Sequence, residues 1–164
     1  MKTTFSKLVE KSKSSLETID SHALKDMIES KEDMTIIDVN DKEEVELRGM
    51  IKGAINVSLG TLHYKADQEV PEDFKDNRIQ DRNKKVVMTC GLGLCAAIGG
   101  KLLKDMGFKD VVLLEGGVKK WQEDGYKLDN WFEMYSEIIN PTSVGFFVYE
   151  MIGRFKYEKI YSNE

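Results

Sequence analysis

Short apolar runs rich in β-branched residues alternate along the chain with stretches in which apolar positions recur every three or four residues. Strands followed by helices in this way predict an α/β domain, with a mainly parallel sheet of about five strands flanked by helices on both faces. Residues 16–19 read as an edge strand. Asp20 or Ser21 then caps a helix that carries Leu24, Met27 and Ile28 on one face and stops near Ser30. Residues 35–39 form a buried strand. Asp41 with Glu44 three positions later has the form of a capping box for a short helix ending near Gly49. Residues 54–57 are a further short strand and 59–64 a helical turn.

From 65 to 84 the pattern is polar, contains Pro71 and shows no apolar period, which predicts a long surface loop with one helical turn at most. Residues 86–89 are a central strand, and the helix after it sets Ile98, Leu102 and Met106 on one stripe before Gly107 closes it. Residues 111–114 make the last strand, followed by Gly116-Gly117 and a helix with Val118 and Trp121 facing inward, ended by Gly125. Beyond that, residues 131–139 and 144–155 are two apolar-faced segments broken at Asn140-Pro141, with Thr142 placed to cap the second. They predict a C-terminal helical hairpin. The organisation is therefore a helical or flexible segment over 1–15, the α/β domain over 16–128 and the extension over 129–164.

Composition narrows the class without naming a function. With 41% hydrophobic and 32% charged residues over 164 positions, the chain is of the globular type. Its 29 acidic and 24 basic residues give a formal charge of −5, which offers no diffuse cationic face for nucleic acid. The first residues mix lysine and serine, no run of about 18 apolar residues occurs, and the expectation is a cytoplasmic protein with no membrane contact.

Candidate chemistry lies where the central strand meets its helix. Cys90 closes the strand, and Gly91-Leu92-Gly93-Leu94-Cys95-Ala96 lead into the helix. Open α/β sheets place ligands at such strand ends. Glycine loops let successive amide N–H groups converge, and a helix N-terminus favours an anion. A free cysteine titrates near about 8.5, and such surroundings lower that value to roughly 3.5–7.5, which makes a ready nucleophile. The plainer alternative is a small buried hydrophobe. The same cradle would hold a persulfide or an incoming sulfur oxyanion without metal or organic cofactor. His22 and His63 lack ligand-like spacing to the two cysteines, so no metal is expected.

Ile36-Ile37-Asp38-Val39, Gly53-Ala54-Ile55-Asn56-Val57, the Cys90 loop, and Leu114-Glu115-Gly116-Gly117 followed by Trp121 together resemble the rhodanese sulfurtransferase homology domain. The resemblance covers roughly residues 16–128. It implies that Cys90 is the sulfur-carrying catalytic cysteine and that Gly91, Leu92, Gly93, Leu94, Cys95 and Ala96 are the substrate loop. Departures accompany it. Cys95 and Ala96 stand where the family's loop usually ends in arginine and serine or threonine, Asn40 where arginine often follows Asp-Val, and Met50 where a histidine commonly precedes the Gly-Ala stretch. The six-residue span from Cys90 to Cys95 matches sulfurtransferases and is one residue shorter than in the family's phosphatase relatives.

The resemblance implies a sulfur carrier that takes sulfane sulfur from a small donor or a protein persulfide and passes it to a thiol acceptor. The missing loop arginine predicts poor use of thiosulfate. Cys95 either resolves the persulfide through a disulfide with Cys90 or fills space beside it. A catalytically silent binding module and a thiol redox sensor using Cys90 and Cys95 are the other readings. The aromatic extension, with Trp131, Phe132, Tyr135, Phe146, Phe147, Met151 and Phe155, must cover something: its own domain, a second copy in a homodimer or, last because its flanks mix Glu and Lys, a membrane surface. Lys101, Lys104, Lys119 and Lys120 form either a steering field for an anionic donor or a solvated face.

Overall fold

A computed structural model describes residues 2–129. The expected hairpin over 131–155 lies outside the described residues. In chain order the elements are α1 (Phe5–Lys13), β1 (Glu17–Ile19), α2 (Ser21–Glu29), β2 (Met34–Asp38), α3 (Lys42–Arg48), β3 (Ile55–Asn56), α4 (Leu59–Lys65), β4 (Lys85–Thr89), α5 (Leu94–Asp105), β5 (Val111–Leu114) and α6 (Gly117–Glu123). The five strands form one sheet in the order β1-β5-β4-β2-β3. Every pairing is parallel, with Ile37 opposite Met88 and Val87 opposite Val112. The α/β expectation therefore stands, with a sheet that is wholly rather than mainly parallel.

Successive strand side chains point to opposite faces, and both sets are buried here. Ile37, Val39, Val86, Met88, Val111 and Leu113 share a core with Leu62, Ala97 and Leu103, while Ile36, Val87, Val112 and Leu114 are equally buried on the alternate positions. Helices cover each face, so β4 lies mid-sheet and its carboxyl end opens between β5 and β2.

The N-terminal segment is helical: Thr4 caps α1 by accepting from Lys7 N, and Lys104 Nζ donates to Ser15 O at 3.0 Å. Asp20 caps α2, its side chain accepting from Ala23 N at 2.7 Å.

Two local expectations need correction. Asp41 stands at the N-cap of α3 but makes no side-chain capping bond. Glu44, the other half of the expected box, turns instead to Arg48 at 3.3 Å. In α5 the fully buried positions are Ala96, Ala97, Gly99, Gly100 and Leu103; of the expected stripe, Leu102 and Met106 pack against the core while partly buried, and Ile98 is partly buried as well. Small residues win the inner face because the backbone itself approaches the sheet. A methyl group built on Gly99 would meet Leu62 and Met88 at 3.1 Å, and one on Gly100 would meet Leu16 at 2.9 Å.

The long 65–84 connection contains two single 3-10 turns, Glu72–Phe74 and Asn77–Ile79. It is tied down by buried Ile79, by Gln80 Nε2 donating to Lys65 O at 2.7 Å, and by Arg82 lying 4.1 Å over the Phe108 ring.

Candidate functional site

The candidate nucleophile follows directly on β4. Cys90 is buried, 3% exposed, and its Sγ accepts from Ala96 N at 3.4 Å. Ala96 belongs to the first turn of α5, whose leading N–H groups have no partner within the helix. The sulfur thus occupies the place where an anion is stabilised by backbone dipoles. Gly93 makes the entry possible: it is the N-cap of α5 in a left-handed conformation, φ +76°. Leu92, at the loop tip, is 53% exposed.

The two glycines after β5 hold the loop from the other side. Val118 N donates to Cys90 O at 2.9 Å, and Lys119 N donates to Gly91 O at 3.0 Å. Gly117, at φ +62°, comes so close that a side chain there would run into Cys90 O and would meet Gly93 N at 2.6 Å. Gly116-Gly117, which follow the last strand in sequence, thus pack beside the cysteine loop. Trp121, buried behind it, donates through Nε1 to Lys127 O at 3.0 Å.

The third side of the loop is charged. Asp38, at the end of β2, has a fully buried side chain and meets Arg48 Nη2 at 2.6 Å. It also accepts from Asn40 N at 3.0 Å. Burial pushes the Asp38 carboxyl above its ordinary range, against the Asn40 N–H and the Arg48 charge that pull it down. The Asn40 amide is assigned by its surroundings, with its oxygen accepting from Gly91 N at 3.1 Å and from Arg48 Nη1 and Nη2 at 2.6 and 2.9 Å. Asn56 Nδ2 donates to Asp38 O and Asn40 O at 3.0 and 2.8 Å and fixes this segment from β3.

Glu44 and Arg48 both border the first loop glycine: from a methyl group built on Gly91 they would lie 3.5 and 3.6 Å away. A cation does flank the loop, therefore, although it arrives from α3 rather than from the loop's end.

Of the residues singled out from the sequence, Cys90, Gly91, Leu92, Gly93, Leu94, Cys95 and Ala96 form one contiguous cradle. Cys95 is partly buried; burial holds its thiol above the ordinary value, and Cys90, Glu44 and Asp41 add to the effect. The four candidate steering lysines are engaged elsewhere. Lys101 pairs with Asp105, Lys119 with Glu123 and Lys120 with Asp124 along their own helices, and Lys104 reaches Ser15 O. Met50 is 1% exposed and pairs its backbone with Asp129. An apolar side chain suits that position.

Arg48 had no signal in the hydrophobic pattern. Its place is set by tertiary contacts with Asp38 and Asn40, which local spacing does not reveal.

The family profile described as a rhodanese-like domain matches residues 20–124. Over 107 residues the chain is 33% identical to the putative sulfurtransferase YtwF of Bacillus subtilis, covering 65% of this chain and 91% of the relative. It is 32% identical over 92 residues to a tRNA uridine(34) hydroxylase of Teredinibacter turnerae, covering 56% of this chain but only 27% of that longer protein. Among solved structures, a protein from Rhodopseudomonas palustris described as a possible tyrosine phosphatase superposes with a TM-score of 0.73 at 28% identity, covering 79% of this chain and 96% of that one. The chain belongs to the rhodanese-like domain family.

Proposed function

We propose that the protein is a sulfur carrier and sulfurtransferase working through Cys90. The observation that carries this reading is Cys90 Sγ lying under Ala96 N at the start of α5, at the carboxyl end of the central strand. The Cys90 thiolate attacks the outer sulfur of a donor R–S–SH. The donor's S–S bond breaks, R–S⁻ departs, and Cys90 carries –S–SH. An acceptor thiolate then takes that outer sulfur and returns Cys90 to a thiolate. No electrons are gained or lost overall. Backbone N–H groups hold the terminal sulfur in the role they play toward an oxyanion. The sulfurtransferase name of the Bacillus relative supports the same class.

Donor choice follows from charge at the mouth. Glu44 is 56% exposed beside Gly91, and it and Asp41 add to the effect of burial and of Cys90 in raising the Cys95 thiol. The loop itself contributes no side-chain cation. A dianion such as thiosulfate is repelled there, and persulfides, polysulfides or a protein persulfide are preferred.

Phosphoester hydrolysis, which the description of the Rhodopseudomonas structure raises, is disfavoured because a phosphate dianion needs the loop arginine whose place Cys95 holds. Cys95 as a resolving thiol needs a thiolate, and burial favours its thiol.

Intact-mass measurement after incubation with a sulfane donor tests the proposal. Wild type gains about 32 Da, one sulfur atom, and Cys90→Ala gains none. Absence of the adduct on wild type would point to a binding module instead.

A further inference from the structure

The peptide unit joining Cys90 to Gly91 is held at both polar ends. Its carbonyl accepts from Val118 N at 2.9 Å, and its N–H donates to Asn40 Oδ1 at 3.1 Å. The next carbonyl, Gly91 O, is held by Lys119 N at 3.0 Å. The plane that follows the nucleophile therefore cannot turn without breaking bonds on opposite sides of the loop. Any such turn would rotate the Cys90 backbone and carry Sγ from beneath Ala96 N.

Arg48 has the form of a strut rather than a receptor. Its Nε donates to Gly49 O at 3.3 Å. Nη2 serves Asp38 and Asn40, and Nη1 serves Asn40 and Glu44. Every guanidinium N–H is thereby used. An anionic substrate would have to displace one of these partners to reach it.

We infer that Arg48 and Asn40 are positioning residues: Asp38 holds the Arg48 fork, the fork turns the Asn40 oxygen onto Gly91 N, and the fixed Cys90–Gly91 peptide keeps Sγ at the start of α5. A lysine keeps the charge at 48 but lacks a planar fork able to grip Asp38 and Asn40 together. The role in catalysis rests on the sulfur-carrier reading, while the hold on Gly91 does not.

The experiment compares Asn40→Ala, Asn40→Asp and Arg48→Lys with wild type in two measurements: hydrogen exchange at the Gly91 amide, and the rate of sulfur loading on Cys90 as a function of inorganic polysulfide concentration. Asn40→Ala and Arg48→Lys should each lose about tenfold in Gly91 protection and about tenfold in saturating loading rate, with half-saturation changed by less than about twofold. Asn40→Asp, which keeps an acceptor for Gly91 N, should retain both to within about threefold. Unchanged exchange of β4 amides checks that the variants are folded.

Arg48→Lys with wild-type Gly91 protection and loading would overturn the inference, since charge alone would then suffice. Asn40→Asp as defective as Asn40→Ala would overturn it too. A wild type that takes up no sulfur would refute the carrier reading, and the Gly91 amide would still decide the strut.

Discussion

Replacing Arg48 with methionine leaves the buried Asp38 without its cation and also removes the guanidinium's bonds to Asn40, Glu44 and Gly49 O. Methionine roughly keeps the length and apolar stem of the arginine, so little cavity forms and the lost charge dominates. The Asp38 side chain is 0% exposed, and without Arg48 the hydrogen bond that remains to it is from Asn40 N. Breaking a buried ion pair by removing one partner costs about 3–5 kcal/mol. For a chain of this size that corresponds to a fall in Tm of roughly 6–20 °C.

The loss should depend on pH. Burial already raises the Asp38 carboxyl in the folded chain. A carboxyl raised on folding stabilises the native state most when protonated, below its unfolded value of about 4. Its contribution falls as pH rises through the folded value. Taking away Arg48 removes a lowering influence, so the variant's Asp38 titrates higher still. The gap between variant and wild type should be full near neutral pH and should narrow on acidification. Urea denaturation of both proteins between pH 7.5 and about 5 measures it. Adding Asp38→Asn to Arg48→Met removes the stranded charge and should recover most of the loss. A gap below about 1 kcal/mol at neutral pH, or a double variant no better than the single, would refute the reasoning.

Gly117→Ala places a methyl group against Cys90 O and Gly93 N at a positive φ. It should lower stability by about 2 kcal/mol or more in thermal melts and should prevent sulfur loading. Glu44→Lys reverses the charge over Gly91 and should raise kcat/KM for thiosulfate by about tenfold or more at low salt, with the gain shrinking as salt is added. Equal rates in both forms would show that mouth charge does not select the donor. Cys95→Ser should turn over persulfide as wild type does, because burial raises the Cys95 thiol and disfavours the thiolate that a resolving role needs; mass spectrometry showing a Cys90–Cys95 disulfide in every wild-type cycle would contradict this. Light scattering of the chain with and without residues 131–164 tests the homodimer, which predicts a halved mass on truncation beyond the loss of the segment itself.

The inner strands β2, β4 and β5 were legible because they carry short apolar runs rich in β-branched residues, and Cys90 because a cysteine, two glycines and a helix follow in one contiguous stretch. Gly116-Gly117 was visible as a glycine pair after the last strand, and its close approach to Cys90 O and Gly93 N came from the structure. The inner face of α5 was hidden, because Ala96, Ala97, Gly99 and Gly100 carry little hydrophobic signal while the larger Ile98, Leu102 and Met106 are only partly buried. The capping box failed for a related reason. Glu44 had two partners within reach, and local spacing says nothing of Arg48, which the tertiary pull of Asp38 fixes in place. The Asn40 bridge to Gly91 joins positions 51 residues apart, beyond any periodicity.

The mid-sheet place of β4 sets how the protein loses its chemistry. A strand paired on both sides exchanges its amides only when the whole domain opens, so the nucleophile's anchor does not share in the fraying of edges and loops. Inactivation by heat should then run at the rate of global unfolding, with sulfur-loading capacity and β4 amide protection decaying together.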